Sequence, residues 1–203
     1  MIEAYVIHLL ILIAIYIILS ASLNLALGYT GLLNLGHVAF FAIGAYASAL
    51  LVKAGYPFIV AFVCAGIVAC LFGYLLTLVT RKLDGDYFAL ATLGFSFVVT
   101  AVLLNWTSLT RGPLGIAGIP RPSILGFTIS STFAYLIFVV VICLLCLWAL
   151  YAIVSSPFGR LLQATRDDEL GLRVLGKNTF ALKYKAMMIS AFFAGIAGSL
   201  FAH

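Results

Sequence analysis

Residues 4–52 read AYVIHLLILIAIYIILSASLNLALGYTGLLNLGHVAFFAIGAYASALLV, without one Asp, Glu, Lys or Arg. A helix needs about 20 apolar residues to cross roughly 30 Å of hydrocarbon, so this run is long enough for two passes. Charge is absent again over Ala54–Thr80, Tyr87–Thr110 and Pro122–Gly159. Of the 203 residues, 65% are hydrophobic and only 8% charged, against about 25% charged in soluble chains. Mean hydropathy is +1.24. The bilayer is the natural solvent for such a chain.

We read an all-α, polytopic transmembrane helical bundle of about six spans, forming one membrane domain over residues 1–203 with a charged loop at 155–185. The spans run over Tyr5–Leu27, Gly36–Leu51, Phe58–Thr80, Tyr87–Trp106 and Ser131–Val154, with a sixth from Ala186 onward. The only early charge is Glu3 and no basic n-region precedes the first apolar run, so that run reads as a retained span and not a signal peptide.

The net charge of +5 does not point to nucleic acid, because it sits in loops between apolar spans. Arg81, Lys82, Arg160, Arg166, Arg173, Lys177, Lys183 and Lys185 fall on one side; Lys53, Arg111 and Arg121 fall on the other. The positive-inside rule makes the first side cytoplasmic, and parity then puts the N-terminus outside, unless Gly28-Tyr29-Thr30-Gly31 is a re-entrant break. Cys64, Cys70, Cys143 and Cys146 all lie in apolar stretches. The spacing of Cys143 and Cys146 lacks the strand and turn context of a redox motif, and no metal site is expected.

Five segments carry polar or conformational information. Asn24, Gly28, Gly31, Asn34, Gly36 and His37 interrupt the first apolar run. They read either as a broken helix lining a transport path or as a tight turn with interhelical hydrogen bonds. The small residues Ala42, Gly44, Ala45, Ala47, Ser48 and Ala49 read as a packing face. Arg81–Asp86, including Asp84, reads either as a solvated turn or as a second contact for a cytoplasmic partner. Arg111, Gly112, Pro113 and Gly115 belong to an outer segment, Asn105–Pro120, in which Gly and Pro exclude regular helix. Thr165 and Asp168 fit a capping box that would start a helix of about ten residues, ~15 Å long, at Arg166. Asp167, Asp168 and Glu169 crowd its first turn, where the helix dipole favours anions, and Gly176 closes it. Leu170, Leu172, Val174 and Leu175 would be its apolar contacts, made either with a partner groove or with the membrane surface.

No acidic residue lies inside a span, no phosphate-binding Gly-x-x-x-x-Gly-Lys-Ser/Thr pattern occurs, and no carboxylate pair or nucleophile elbow is present. These absences disfavour a proton-coupled transporter, an ATPase and an enzyme. A passive channel or a pore powered by another subunit remains.

The run SLNLALGYTGLLNLGHVAFFAIGAYASALL, followed in order by DGDYFALATLGFSFVV, NWTSLTRGPLGIAGIP and SPFGRLLQATRDDELGLRVLGKNTFALKYKAMMISAFFAGIAGSLFAH, resembles the permease subunits of branched-chain amino-acid ABC importers. The LivM-like permease of the heteromeric pair is the closer of the two types. The resemblance implies a multi-pass protein of a prokaryotic cell (inner) membrane that binds no cofactor itself. Its implied partners are a LivH-like second permease, two cytoplasmic ATPase subunits that use ATP, an external substrate-binding protein and membrane lipid. It also implies that Arg166, Asp167, Asp168, Glu169 and Gly176 belong to an ATPase-coupling helix. Where the family shows a small-residue pair such as Ala-Ala, this chain has Leu170-Gly171-Leu172, and Gly171 would weaken a helix by up to ~1 kcal/mol relative to Ala. Family members carry further spans after the point where this chain stops, so it reads as a fragment or truncated product. Alternatives are a family member importing urea or short amides, and a stand-alone channel or secondary transporter.

Overall fold

Hydrocarbon offers peptide groups no hydrogen-bonding partner, so apolar runs of this length must satisfy their backbones internally, as helices. The structure, a computed structural model, describes residues 2–83, 85–120, 122–124, 127, 128 and 131–203. Asp84 and Arg121 lie outside the described residues. Five helices are long and apolar enough to cross a membrane: α1 (Ile2–Thr30), α3 (Phe58–Val79), α4 (Asp86–Asn105), α6 (Thr132–Ser155) and α9 (Thr179–Ala202). A sixth apolar helix, α2 (His37–Lys53), has 17 residues. Between them lie the short helices α5 (Thr107–Thr110), α7 (Pro157–Asp167) and α8 (Glu169–Val174), a 3-10 turn over Gly112–Leu114, and a two-residue antiparallel pairing of Ser123–Ile124 with Phe127–Thr128.

Two expected boundaries move. α1 runs through Gly28 to Thr30, so the break falls at 31–36, where Gly31 takes φ +71° and the Leu32 N–H reaches back to the Ala26 carbonyl. The sixth span starts at Thr179, not Ala186, because the Asn178 side chain accepts from the Ala181 N–H at 3.0 Å and caps the helix there. Lys183 and Lys185 are therefore helical.

α9 is the centre of the bundle. Its span is 67% buried, against 22–33% for the other long helices, and its largest interfaces are with α3, α2 and α1. Lipid tails are as apolar as leucine, so these interfaces depend on close approach and shared hydrogen bonds. A Cβ added to Gly198 would stand 2.0 Å from the Phe41 carbonyl oxygen, and one added to Gly44 would stand 2.4 Å from Gly195 Cα. On the other flank, a Cβ on Gly195 would lie 2.7 Å from the Ala65 carbonyl oxygen. Ser199 donates to Ser48 at 2.7 Å and Ser190 to the Ser22 carbonyl at 2.6 Å. The small residues of α2 are thus a packing face, with Gly44, Ser48 and Ala49 buried.

Contacts along the helices fix their directions. Ser22 meets Ser190, while Ile11 and Ile15 share a cavity with Leu200. Gly73 faces Ala191 and Phe58 stacks on His203. α1 and α3 therefore run opposite to α9. α2 runs with it, from Asn34 against Met187 to Ser48 against His203. α6 is anchored by Tyr135 Oη donating to the Leu200 carbonyl, at 2.5 Å. α4 touches α2, through Gly36 against Thr92 and Phe40 against Phe95. The α1–α2 break, the α3–α4 turn and α7–α8 gather at one end, the basic end. The start of α1, the Lys53–Pro57 turn and the Trp106–Pro120 segment gather at the other. α1 thus passes through the whole bundle.

Gly198→Val places side-chain carbon on a backbone carbonyl that cannot move aside, and should cost more than the 1–3 kcal/mol of ordinary overpacking. Gly94, which has nothing within 4 Å of an added Cβ, should tolerate alanine. Thermal stability and monodisperse yield in detergent should fall for the first variant and stay unchanged for the second.

Candidate functional site

The polar residues of the α1–α2 break converge on His37. Ser22 Oγ donates to the Leu19 carbonyl at 2.7 Å and lies 2.8 Å from His37 Nε2. With the serine proton so engaged, Nε2 carries the imidazole proton and Nδ1 accepts from Asn34 Nδ2 at 3.4 Å. This tautomer follows from the network. The same amide nitrogen also lies 3.4 Å from Met187 Sδ, and Asn34 Oδ1 accepts from the Gly36 N–H at 3.1 Å. Thr92 Oγ1 accepts from the Leu35 N–H at 3.0 Å. Gly36 is required here, since a Cβ would lie 2.1 Å from the Thr92 carbonyl oxygen. Ser22, Asn34, His37 and Thr92 are all buried. The structure brings Asn34, Gly36 and His37 together as a satisfied interhelical network. Asn24 stands apart, exposed on α1, with its Oδ1 in the space a Gly28 side chain would fill.

At the basic end, the charged loop folds as two helices and not one. Ser156 caps α7 and Pro157 opens it. The helix passes through Thr165, whose buried hydroxyl donates to the Leu161 carbonyl at 2.7 Å; as an interior residue of α7, Thr165 does not begin a helix at Arg166. Asp168 is the actual cap: its backbone is extended (φ −151°, ψ 92°) and its Oδ1 accepts from the Gly171 N–H at 2.9 Å. α8 is consequently six residues long. Gly176 closes it as expected, at φ +73°, with the Gly176 N–H on the Arg173 carbonyl and the Lys177 N–H on that of Leu172. Gly171 sits in the first turn beneath the Asp168 carboxylate, 2.5 Å from where its Cβ would be.

The charges expected on one surface are mostly engaged within the chain. Arg166 Nη1 donates to the Gly28 carbonyl at 2.6 Å, and its stem packs beside Gly31. A cation at the end of α1 suits the helix dipole. Glu169 bridges Arg173 Nη2 and Lys183 Nζ, both at 2.7 Å, and Arg173 Nε donates to Thr179 Oγ1 at 3.1 Å. Burial alone would push the Glu169 carboxyl up, but its bonds to Lys183, Arg173 and Thr179 hold it below its ordinary value. Asp167 is exposed. The outward surface of α8 is apolar: Leu170 is 72%, Val174 87% and Leu175 74% exposed, while Leu172 is buried. Spacing alone did not separate Leu172 from the other three.

At the opposite end, α5 forms one helical turn that the Gly and Pro content did not suggest. The buried Thr110 hydroxyl bonds the Leu103 and Trp106 carbonyls at 2.6 and 2.8 Å. Arg111 follows in the left-handed region, φ 63°, and Gly112, Gly115 and Gly118 also take positive φ. Gly112 is buried, with Leu104 O 2.8 Å from an added Cβ, whereas Arg111 and Pro113 are exposed. Among the described residues no carboxylate pairs with Arg111.

Over residues 5–203 the chain matches the family described as branched-chain amino acid transport system / permease component. It is 38% identical to the high-affinity branched-chain amino acid transport system permease protein LivM of Escherichia coli, over 93% of this chain and 50% of that protein. The corresponding LivM of Salmonella typhimurium is equally similar, at 38% over the same shares. A probable branched-chain amino acid transport permease protein LivM of Methanocaldococcus jannaschii is 28% identical over 92% of this chain and 64% of that protein. The chain thus spans about half the length of the two bacterial relatives. No solved structure matches it.

The Glu169 bridge has a defined pH sense. A carboxyl held low in the folded state contributes stability that is present above its ordinary value near 4.5 and lost as pH falls below it. Amide protection factors in α8 should fall on acidification into that range. Glu169→Gln should show the lower protection already at neutral pH and little further change with acid.

Proposed function

This chain belongs to the family of permease components of branched-chain amino-acid transport systems, and we propose that it serves as the membrane-spanning, LivM-like subunit of an ATP-powered importer of branched-chain amino acids. ATP is then bound and hydrolysed by two cytoplasmic partner subunits and not by this chain. A LivH-like permease completes the membrane pair, and an external binding protein delivers substrate. The basic end faces the cytoplasm, as the distribution of Lys and Arg favours, in a prokaryotic cell (inner) membrane. The exposed Arg111 then faces outward, where it can meet an acidic surface of the binding protein.

The observation that carries the coupling role is the tip of α8. It is a short helix, capped at both ends, that presents three contiguous large apolar residues away from the bundle at its charged end. Such a surface suits a groove in a partner. Asp168, Glu169 and Gly176 shape and hold this helix, and Arg166 joins its base to the end of α1. A displacement of the tip therefore reaches the start of the α1–α2 break directly, as alternating access requires.

Replacing Leu170, Val174 and Leu175 by serine removes apolar burial of roughly 1.5 kcal/mol or more per side chain. ATPase subunits co-expressed with the chain should bind well over tenfold more weakly, with the elution profile of the permease unchanged. Retained co-purification would sink the docking assignment. Arg166→Ala should behave differently: the ATPase still co-purifies, while uptake of labelled leucine per ATP hydrolysed falls several-fold.

A further inference from the structure

α3 packs along α9 and α7 meets it near the basic end, and between α3 and the α6–α7 junction lies an open groove of about 530 Å³. Ile153 and Phe158 line it from the α6–α7 junction, Cys70 from α3, and Met188, Ile189 and Phe192 from α9. The wall is apolar from end to end, apart from one residue at its edge, Lys185. Lys185 is exposed, and among the described residues no carboxylate pairs with it. Lys183, two residues earlier, is fully engaged with Glu169. From Lys185 to Phe192 the helix rises about 10 Å, so the groove begins beside a cation and descends into the hydrocarbon. Arg160, two residues after Phe158, is also exposed, and among the described residues no carboxylate pairs with it.

We propose that this groove is a binding site for one anionic phospholipid, its phosphate facing Lys185 and its acyl chain lying along Met188, Ile189 and Phe192. Charge complementarity selects this occupant. A helix from another polypeptide would leave the Lys185 ammonium unpaired unless it brought its own carboxylate to the membrane edge. An anionic headgroup sits at that depth by construction, and a lysine stem lying on apolar surface with its ammonium in the interface is a favourable arrangement. A zwitterionic lipid would fill the groove but gain less from the cation. Phe158 at the α6–α7 bend makes the site contiguous with the helix that carries Arg166, so an occupied groove would brace that bend.

The test is native mass spectrometry of the detergent-purified chain titrated with dioleoylphosphatidylglycerol or dioleoylphosphatidylcholine. The expected result is one tightly held phosphatidylglycerol, preferred about fivefold, the preference of one cation facing anionic lipid. Lys185→Gln, at an exposed position, should abolish the preference without changing thermal stability. Phosphatidylglycerol bearing a photoactivatable acyl chain should crosslink to residues of the groove, centred on Met188 and Phe192. Equal binding of the two lipids, a preference that survives Lys185→Gln, or crosslinks spread evenly over α3, α4 and α6 would each overturn the proposal.

Discussion

Backbone-to-backbone contact along α9 is the constraint on which the bundle depends. In a hydrocarbon solvent one apolar helix gains nothing by leaving lipid for another, so association must come from packing that lipid cannot match. Gly195 and Gly198 supply that packing. They admit the backbones of α3 on one side and α2 on the other to distances that any side chain would forbid. Ser190 and Ser199 then add hydrogen bonds to α1 and α2 respectively. α4 does not reach α9 in the same way. It hangs on α2 through Gly36 and Phe40, which makes it the most peripheral of the six.

Where the apolar helices end, electrostatics takes over the positioning. Two contacts set the short helices of the charged loop against the bundle: Arg166 on the Gly28 carbonyl near the end of α1, and Glu169 on Lys183 of α9. They act on the first and last spans of this chain, with α7 anchored between them by the fully buried Leu162. Because these charges are satisfied inside the chain, the surface left for a partner is apolar. Leu170, Val174 and Leu175 are the most exposed large apolar side chains there, whereas the family resemblance directs attention to Asp168 and Glu169.

The spans were legible because hydrophobic runs bounded by charge are a strong signal over 20 residues. Five spans begin and end within about three residues of their expected places, and the displaced start of the sixth has a local cause. Asn178 was an available cap, but the lysines that follow it looked incompatible with a span. In the structure Lys183 is neutralised by Glu169, fourteen residues earlier in the chain, a pairing no local pattern encodes. The Thr165 capping box failed for a related reason. α7 continues through Thr165 to Asp167, and Asp168, expected as the acidic member of the box, is itself the cap. At His37 the sequence admits both a helix break and a hydrogen-bonded turn, because only packing reveals that Ser22 and Asn34 satisfy both ring nitrogens.

The burial of α9 also bears on how such a bundle is built. α9 is the least hydrophobic of the five long helices, with a span hydropathy of 1.5 against 3.0 for α6, and the last of the six to be synthesised. The helix least suited to entering lipid by itself is thus the one the others surround. α2 and α3 pack directly on each other, and with α9 they share close contacts at Gly44, Gly66 and Gly73. α9 therefore rests mainly against protein and not lipid, with the earlier spans as its solvent.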